Sequence, residues 1–144
     1  MQISITTNAK LVRMGLQNLA LEIPKIGRNQ IWKVMQRVKA RARIYPKERI
    51  GQKYVRTYRL RDSWEIGRKS SGTLEGYTIK NDTPYAPYVM GDAYGNRQAW
   101  MHISTDQGKR WTMTRDIVED EIKTLPADIS KEIDMVARRY VAAK

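Results

Sequence analysis

Residues 53–64 read Lys53-Tyr54-Val55-Arg56-Thr57-Tyr58-Arg59-Leu60-Arg61-Asp62-Ser63-Trp64, and this stretch separates two unlike halves of the chain. Before it, apolar residues recur at helical spacing; after it come short strand and turn patterns, and then helical spacing again. Leu60 and Trp64 are four residues apart, so a helical turn capped by Thr57 would bury both side chains on one face. We therefore expect the stretch to act as a hinge that ties the two halves together.

The same stretch mixes cations with aromatic side chains, which is also typical of surfaces that bind nucleic acids. Its arginines would then contact phosphates, and Tyr54, Tyr58 and Trp64 would stack on bases. For the aromatic residues we favour the structural interpretation, whereas for the arginines both interpretations stay open. The cations that we single out as facing either DNA or another subunit are Arg56, Arg59, Arg61, Arg68 and Lys69.

Upstream of the stretch, the sequence predicts a long helix. Its apolar stripe consists of Val12, Leu16, Leu19 and Ile23, followed by Ile31, Val34, Met35, Val38 and Ala42. Because proline lacks an N–H and clashes with the preceding turn, Pro24 either kinks one long helix or opens a second. Pro46 is expected to end the helical part. Ahead of the helix, residues 2–6 alternate and predict a short strand, with Thr7 or Asn8 as the helix cap.

Downstream of the stretch, short strands are expected to form a small sheet. Residues 64–66 and 76–80 flank the turn signals of residues 70–72, which predicts a β-hairpin or a meander. The N-terminal strand would extend this sheet, and a further short strand is expected to begin at Trp100. Tyr85 and Tyr88 are expected to pack as structural anchors, as are Leu60 and Trp64 in the hinge.

The C-terminal part of the chain predicts helix again. Asp116 and Glu119 have the spacing of a capping box, and an apolar stripe runs from Val118 to Tyr140, bent or restarted at Pro126. The whole pattern predicts one α+β domain over residues 1–144. Its long N-terminal helix, kinked near Pro24, and its C-terminal helices would pack on a small, mostly antiparallel β-sheet.

The charge of the chain is strongly positive. It has 144 residues, with 27 lysines and arginines against 15 aspartates and glutamates, for a formal net charge of +12. Such a surface favours polyanions, because neutralised phosphates release counterions. The cations concentrate in residues 37–69, whereas residues 116–132 lean acidic. A basic side and an acidic side would suit contact with DNA, and equally the head-to-tail packing of identical subunits.

The sequence contains no catalytic or metal-binding motif that stands out. There is no cysteine, and His102 is the only histidine, so the usual thiolate and histidine zinc sites cannot form. The region of Gly72 and Gly76 is not a phosphate-binding loop, and Ser104 belongs to no nucleophile motif. We therefore predict a protein that is not an enzyme and binds no cofactor or metal. Metal-free RNA cleavage assisted by His102 is a third and weaker hypothesis.

The sequence also predicts a protein that neither crosses a membrane nor is secreted. No apolar run approaches the ~20 residues that a transmembrane helix needs. Residues 1–4 lack the basic start and the apolar run of a signal peptide.

Several short motifs follow one another in a recognisable order. They are Ala42-Arg43-Ile44-Tyr45-Pro46, residues 54–64, Ile79-Lys80-Asn81, Pro84-Tyr85-Ala86-Pro87-Tyr88-Val89-Met90-Gly91, and Trp111 before the final helices. This order resembles that of the phage neck and tail-completion proteins, the family that includes minor tail protein Z-like chains. In that family a proline, an Arg-Thr-x-x-Leu-x-x-Ser turn and a Tyr-Ala-x-Tyr-Val-x-Gly segment recur in this order, and the match spans residues 10–133. Two departures are Tyr58, where family members often carry glycine, and Met90, where an acid is common.

The resemblance implies a non-enzymatic structural protein of the virion. Such proteins join the tail tube to the head connector of a long-tailed phage, commonly as rings through which the genome passes. It therefore implies a homo-oligomeric ring, a tail-tube or tail-terminator protein and a head connector protein as partners, and non-specific contact with packaged DNA. The location would be the tail or neck of the virion, and the host cytoplasm during assembly. The alternative function is that of a sequence-independent nucleic-acid-binding protein.

Overall fold

A 34-residue helix, α1 (Ala9–Ala42), is the longest element of the described structure. At 1.5 Å per residue it is about 51 Å long. The computed structural model describes residues 9–46, 57–71, 74–91 and 111–142. The α+β class is confirmed, since the fold combines this long N-terminal helix with C-terminal helices and a small antiparallel sheet.

The other elements follow in chain order. They are α2 (Arg59–Asp62), β1 (Trp64–Ser71), β2 (Leu74–Asn81), α3 (Ala86–Met90), α4 (Thr114–Ile122) and α5 (Leu125–Ala142). Helix α1 packs against both strands and against both C-terminal helices. Within the described ranges, no helix combines the length and the apolar character needed to cross a membrane.

The two internal prolines of the helices have different effects. Pro24 lies inside α1, which stays a single helix, so of the two alternatives at this proline a second helix is not formed. The Pro24 ring is exposed to solvent, where it displaces no packed neighbour. Pro126 is the second residue of α5, where a missing N–H loses no helical hydrogen bond. The C-terminal stripe is therefore restarted near Pro126 as a new helix.

The strands β1 and β2 form a hairpin with two chemically different faces. They pair from Trp64 opposite Asn81 to Ser71 opposite Leu74. Because side chains alternate along a strand, Trp64, Ile66 and Ile79 share one face. Tyr77 lies on that face too, with its ring centroid 5.3 Å from that of Trp32 on α1. The hairpin therefore packs on α1 through this face and turns the other to solvent.

The core lies where the C-terminal part of α1 meets the hairpin and the short helices. Its buried residues are Val34, Val38, Ala42, Leu60, Trp64, Ala86, Val89, Met90 and Ile117. All of the α1 residues in this cluster come from the last nine positions of the helix. The N-terminal part of α1 therefore lies outside this cluster.

Two helix starts differ from the expected caps. Helix α2 is preceded by Tyr58, and no side chain caps it, so Thr57 is not the cap. Helix α4 begins at Thr114 after Met113, again without a side-chain cap. Asp116 therefore lies in the first turn of α4, where the helix dipole favours an acid, and the predicted capping box is not formed.

Some expectations concern residues outside the described ranges. These are the strand at residues 2–6 with the caps Thr7 and Asn8, the cation Arg56, and the strand beginning at Trp100 that includes His102.

Candidate interaction surface

The hinge stretch is held to the core by two buried side chains. Leu60 and Trp64 are 2 % and 4 % exposed, and both belong to the same cluster as Val38. The turn is fixed further by polar contacts, since Asn81 Nδ2 donates to the Leu60 carbonyl at 2.7 Å and Ser63 Oγ donates to the Arg59 carbonyl at 2.7 Å. Leu60 and Trp64 thus lie in the core, as their spacing of four residues in the sequence predicted.

Tyr58 begins the turn in a strained conformation. Its φ of 56° is in the left-handed region, and it is the one non-glycine residue with positive φ in the described ranges. For a residue with a Cβ, this region costs roughly 1–2 kcal/mol. The ring lies edge-on to Tyr45 at 5.5 Å between centroids, and the Arg61 guanidinium lies 4.5 Å from its centroid. These two contacts offset part of the strain.

Tyr45 joins the turn to the C-terminal helices. Its ring also lies edge-on to that of Trp111, with 4.8 Å between the centroids. Tyr45 and Trp111 both pack against the core cluster. Tyr45 therefore contacts both Tyr58 and Trp111, which supports the structural interpretation of Tyr58 over base stacking.

Of the five cations singled out in the sequence, the four that the structure describes do not form one surface. Arg56 lies outside the described residues. Arg61 Nε donates to Asp62 Oδ1 at 2.9 Å, so its charge is already paired. Arg68 and Lys69 are consecutive residues of β1, and the pleat directs them to opposite faces of the hairpin.

Asp62 contacts two arginines at the hinge. It accepts hydrogen bonds from Arg61 and, at 3.3 Å, from Arg43 Nη2. The Arg61 hydrogen bond, followed by the weaker effect of Arg43, lowers the pKa of Asp62 below its ordinary value. The same contact raises the pKa of Arg61. The remaining exposed candidates, Arg59 and Lys69, form no ion pair with another described residue.

The acidic segment is neutralised within the chain. Glu121 Oε2 accepts from Arg37 Nε at 2.6 Å, and its Oε1 accepts from Arg41 Nη1 at 3.0 Å. These hydrogen bonds, first from Arg37 and then from Arg41, lower the pKa of Glu121. Arg41 also reaches Asp120 at 3.2 Å, and Arg37 reaches Asp128 at 3.5 Å.

These pairs correct the expectation of separate basic and acidic sides. Arg37 and Arg41 are one helical turn apart on α1 and together bind the acids of α4 and the start of α5. The i, i+4 spacing of the two arginines was visible in the sequence. No local pattern indicated which acids would lie opposite them, because the pairing of Arg37 with Glu121 spans 84 residues.

Tyr85 and Tyr88 are not the buried anchors expected from the sequence. Their side chains are 36 % and 54 % exposed. In the same segment Ala86, Val89 and Met90 are buried instead. The short helix α3 starts one residue after Tyr85, so its apolar side faces the core and both tyrosines lie toward solvent.

A cavity of about 510 Å³ lies between β2, α3 and α4. Its lining is mostly apolar and includes Trp64, Ile79 and Met90. At its edge, Arg115 Nε lies 3.4 Å from Glu119 Oε1. The enclosed Trp64 Nε1 donates no hydrogen bond to a described residue. The described lining offers shape and apolar surface but no pair of groups arranged for acid–base chemistry.

Metal binding finds no support in the described part of the chain. Those residues contain no group of three or more histidines, aspartates or glutamates that could hold a metal ion. Carboxylates such as Asp62 and Glu121 are instead engaged in ion pairs with arginines.

Comparison with family models, curated proteins and solved structures finds no match to this chain.

Proposed function

We propose that this chain is a non-enzymatic structural protein of a long-tailed phage, which joins the tail tube to the head connector as a ring of identical subunits around the DNA path. The proposal starts from the ordered motifs that resemble those of neck and tail-completion proteins. The backbone conformation, the burial and the hydrogen bonds of the motif residues support it.

The main supporting observation is the backbone at the two positions where those motifs carry glycine. Gly91 closes the Tyr-Ala-x-Tyr-Val-x-Gly segment with a φ of 74°. Tyr58 stands where glycine is common in the Arg-Thr-x-x-Leu-x-x-Ser turn, and its φ is 56°. Glycine is the residue that adopts such angles without strain. The motif pattern and the backbone therefore agree at both positions, although Tyr58 is not glycine.

Other motif residues also have structural roles. Leu60 fills the core, and Ser63 Oγ binds the Arg59 carbonyl within the turn. Met90, where an acid is common among the similar proteins, is 2 % exposed and suits its apolar surroundings. These roles are architectural, as expected for a protein whose work is assembly.

The charge of the chain suits a position around DNA. A formal net charge of +12 remains after the internal pairs form, because each pair removes one charge of either sign. Exposed cations such as Arg59 and Lys69 can approach phosphates without reading bases. A ring of such subunits would tolerate a passing genome of any sequence.

The decisive experiment is a search for this protein in purified virions. We expect native mass spectrometry to detect it in particles, and electron microscopy of the head–tail junction to show density with its long helix. Monomers in isolation would be compatible with assembly on a neighbouring component. Absence from purified particles would overturn the proposal.

The alternative is sequence-independent nucleic-acid binding, favoured by the net charge and by the exposed Arg59 and Lys69. It predicts tight binding to duplex DNA with a steep dependence on salt. Arg59→Ala and Lys69→Ala would each lower the affinity and reduce the salt slope. Weak binding to duplex DNA at low salt would remove this alternative.

A further inference from the structure

An exposed tryptophan lies where α1 meets the hairpin. Trp32 is 40 % exposed, and its ring centroid lies 5.3 Å from that of Tyr77 on β2, with 51° between the two ring planes. Neither ring belongs to the core cluster. The contact with Tyr77 therefore holds the indole at the surface, where much of it stays open to solvent.

Cationic side chains flank this pair of rings. Arg68 of β1 lies directly opposite Tyr77 in the hairpin, so the two side chains are neighbours on the face that packs against α1. On α1, Arg28 precedes Trp32 by one turn and Lys39 follows it by two turns, which places all three on the same side of the helix. Lys39 forms no ion pair with another described residue. We call Arg28, Trp32, Lys39, Arg68 and Tyr77 the aromatic seam.

The carboxylates that bind the arginines of α1 lie on another side of this helix. Arg37 and Arg41 are about 140° and 180° around α1 from Trp32, and both bind Glu121 of α4. On the hairpin, Glu65 pairs with Lys80 at 3.2 Å, on the face opposite to that of the aromatic seam. These acids are therefore directed away from the seam.

We infer that the aromatic seam binds single-stranded nucleic acid. An unpaired base would stack on the open face of Trp32, and the neighbouring phosphates would lie against the cations. Such stacking does not depend on the identity of the base, because every base has a π face. The inference adds a binding site to the chain and does not depend on a place in the virion.

Other occupants satisfy only part of the seam. The bases of a duplex are already stacked on one another, so duplex DNA would contact the cations through its phosphates and leave the indole unused. An acidic peptide would likewise pair with the cations alone. An apolar protein surface would cover the rings but would bury the cations without counterions. An unpaired nucleotide offers a flat ring and a phosphate together.

The first test asks whether an aromatic ring is needed at residue 32. Binding of the purified protein to a fluorescein-labelled oligothymidine of about 12 nucleotides is measured by fluorescence anisotropy at low salt. Trp32→Leu should lower the affinity roughly tenfold, because the stacking of a base on the ring is lost. Trp32→Tyr is the matched control that keeps a ring, and it should bind within about threefold of the wild type. Equal losses in the two variants would overturn the stacking.

The second test uses two consecutive residues of β1. Arg68 and Lys69 carry the same charge, are both exposed and lie on opposite faces of the hairpin. Arg68→Gln should weaken the binding of the oligothymidine several-fold and reduce its salt slope by about 0.7. Lys69→Gln should change both quantities much less. Because neither side chain is buried, this pair keeps the inference testable if Trp32→Leu disturbs folding.

The remaining outcomes separate the possible occupants. Tighter binding to a duplex of the same length than to the oligothymidine would assign the seam to duplex DNA, and tighter binding to polyglutamate would assign it to an acidic protein. Either result would overturn the inference. It would also be overturned by no binding of the oligothymidine at low salt, or by equal losses in the two β1 variants. None of these results bears on the proposed function, which is tested by the presence of the protein in purified particles.

Discussion

The two ends of α1 share one helical geometry but have opposite surroundings. From Val34 to Ala42 the apolar side is buried, and the neighbouring arginines bind carboxylates. Around Leu16 and Ile23 the apolar side is exposed, and Lys25 pairs only locally, with Glu22 of the same helix at 2.8 Å. Periodicity therefore defines a side of a helix, whereas neighbouring elements decide whether that side becomes core or surface.

The largest expected effect tests whether the hinge residue Trp64 is part of the core formed at the C-terminal end of α1. Trp64→Ala should lower the free energy of unfolding by about 3–5 kcal/mol, because it removes a buried indole from the core. Leu16→Ala, at the exposed end, should change it by less than about 0.5 kcal/mol. Urea unfolding followed by circular dichroism measures both variants. Similar losses in the two would break the distinction between the ends of α1.

A smaller effect is expected from the ion pairs of the buried end. Glu121→Gln should cost about 1–2 kcal/mol, since the carboxylate is partly buried and binds two arginines. Glu119→Gln is the matched control on the same helix, where an exposed i, i+4 pair with Arg115 is worth under about 0.5 kcal/mol. Equal costs in urea unfolding would show that the Glu121 contacts add nothing beyond an exposed pair.

Glu121 also predicts a dependence of stability on pH. Its folded pKa is lowered from the ordinary value of 4.5, so the unfolded chain binds the proton more readily. The stabilisation is therefore present above about pH 4.5 and is lost as the pH falls through the lower folded pKa. Unfolding between pH 3 and 6 should show this loss in the wild type and a flatter profile in Glu121→Gln. Parallel profiles would contradict this assignment.

Variants of the strained hinge residue Tyr58 should differ from each other by about 1 kcal/mol in their free energy of unfolding. Tyr58→Gly should be more stable than Tyr58→Ala by about 1 kcal/mol, because both variants lose the ring contacts but only glycine tolerates the positive φ. At Tyr85, with a φ of −93°, the order should reverse, with alanine the more stable variant. Thermal melts of the four variants compare the two sites. Alanine equal to glycine at position 58 would argue against the left-handed conformation.

The smallest expected change concerns Asp62, which is half-exposed. Carboxyl NMR titration should give a pKa below the ordinary 3.8. Arg61→Gln should raise this pKa more than Arg43→Gln, because the Arg61 hydrogen bond is the larger cause. Lys69→Gln, on β1, should leave it unchanged. A larger rise in Arg43→Gln would reverse the ranking of the two arginines.

Much of the fold was predictable because it depends on local patterns. The stripe of α1, the hairpin around residues 70–72 and the Leu60–Trp64 spacing each indicate a structure from residues close in sequence. The predicted packing of Tyr85 and Tyr88 was wrong, because neighbouring elements decide which side of a one-turn helix faces the core. The caps were missed because Tyr58 and Met113 carry no capping side chain.

The candidate surface was less predictable than the fold. The sequence indicated cations of the hinge stretch and of β1, but Arg61 is paired, and Arg68 and Lys69 lie on opposite faces of the hairpin. It did not indicate the pairing of Arg37 and Arg41 with Glu121, because these residues are far apart in the chain.

The helix periods, the strand alternation, the net charge of +12 and the two hinge residues that enter the core can all be read from the amino-acid sequence. These properties follow from side-chain chemistry and from spacings of a few residues. The folded chain, in contrast, sets which charges pair and which apolar side chains stay exposed. Both outcomes depend on contacts between distant elements, such as Arg37 with Glu121 and Gly15 with Tyr140, and no local pattern encodes them.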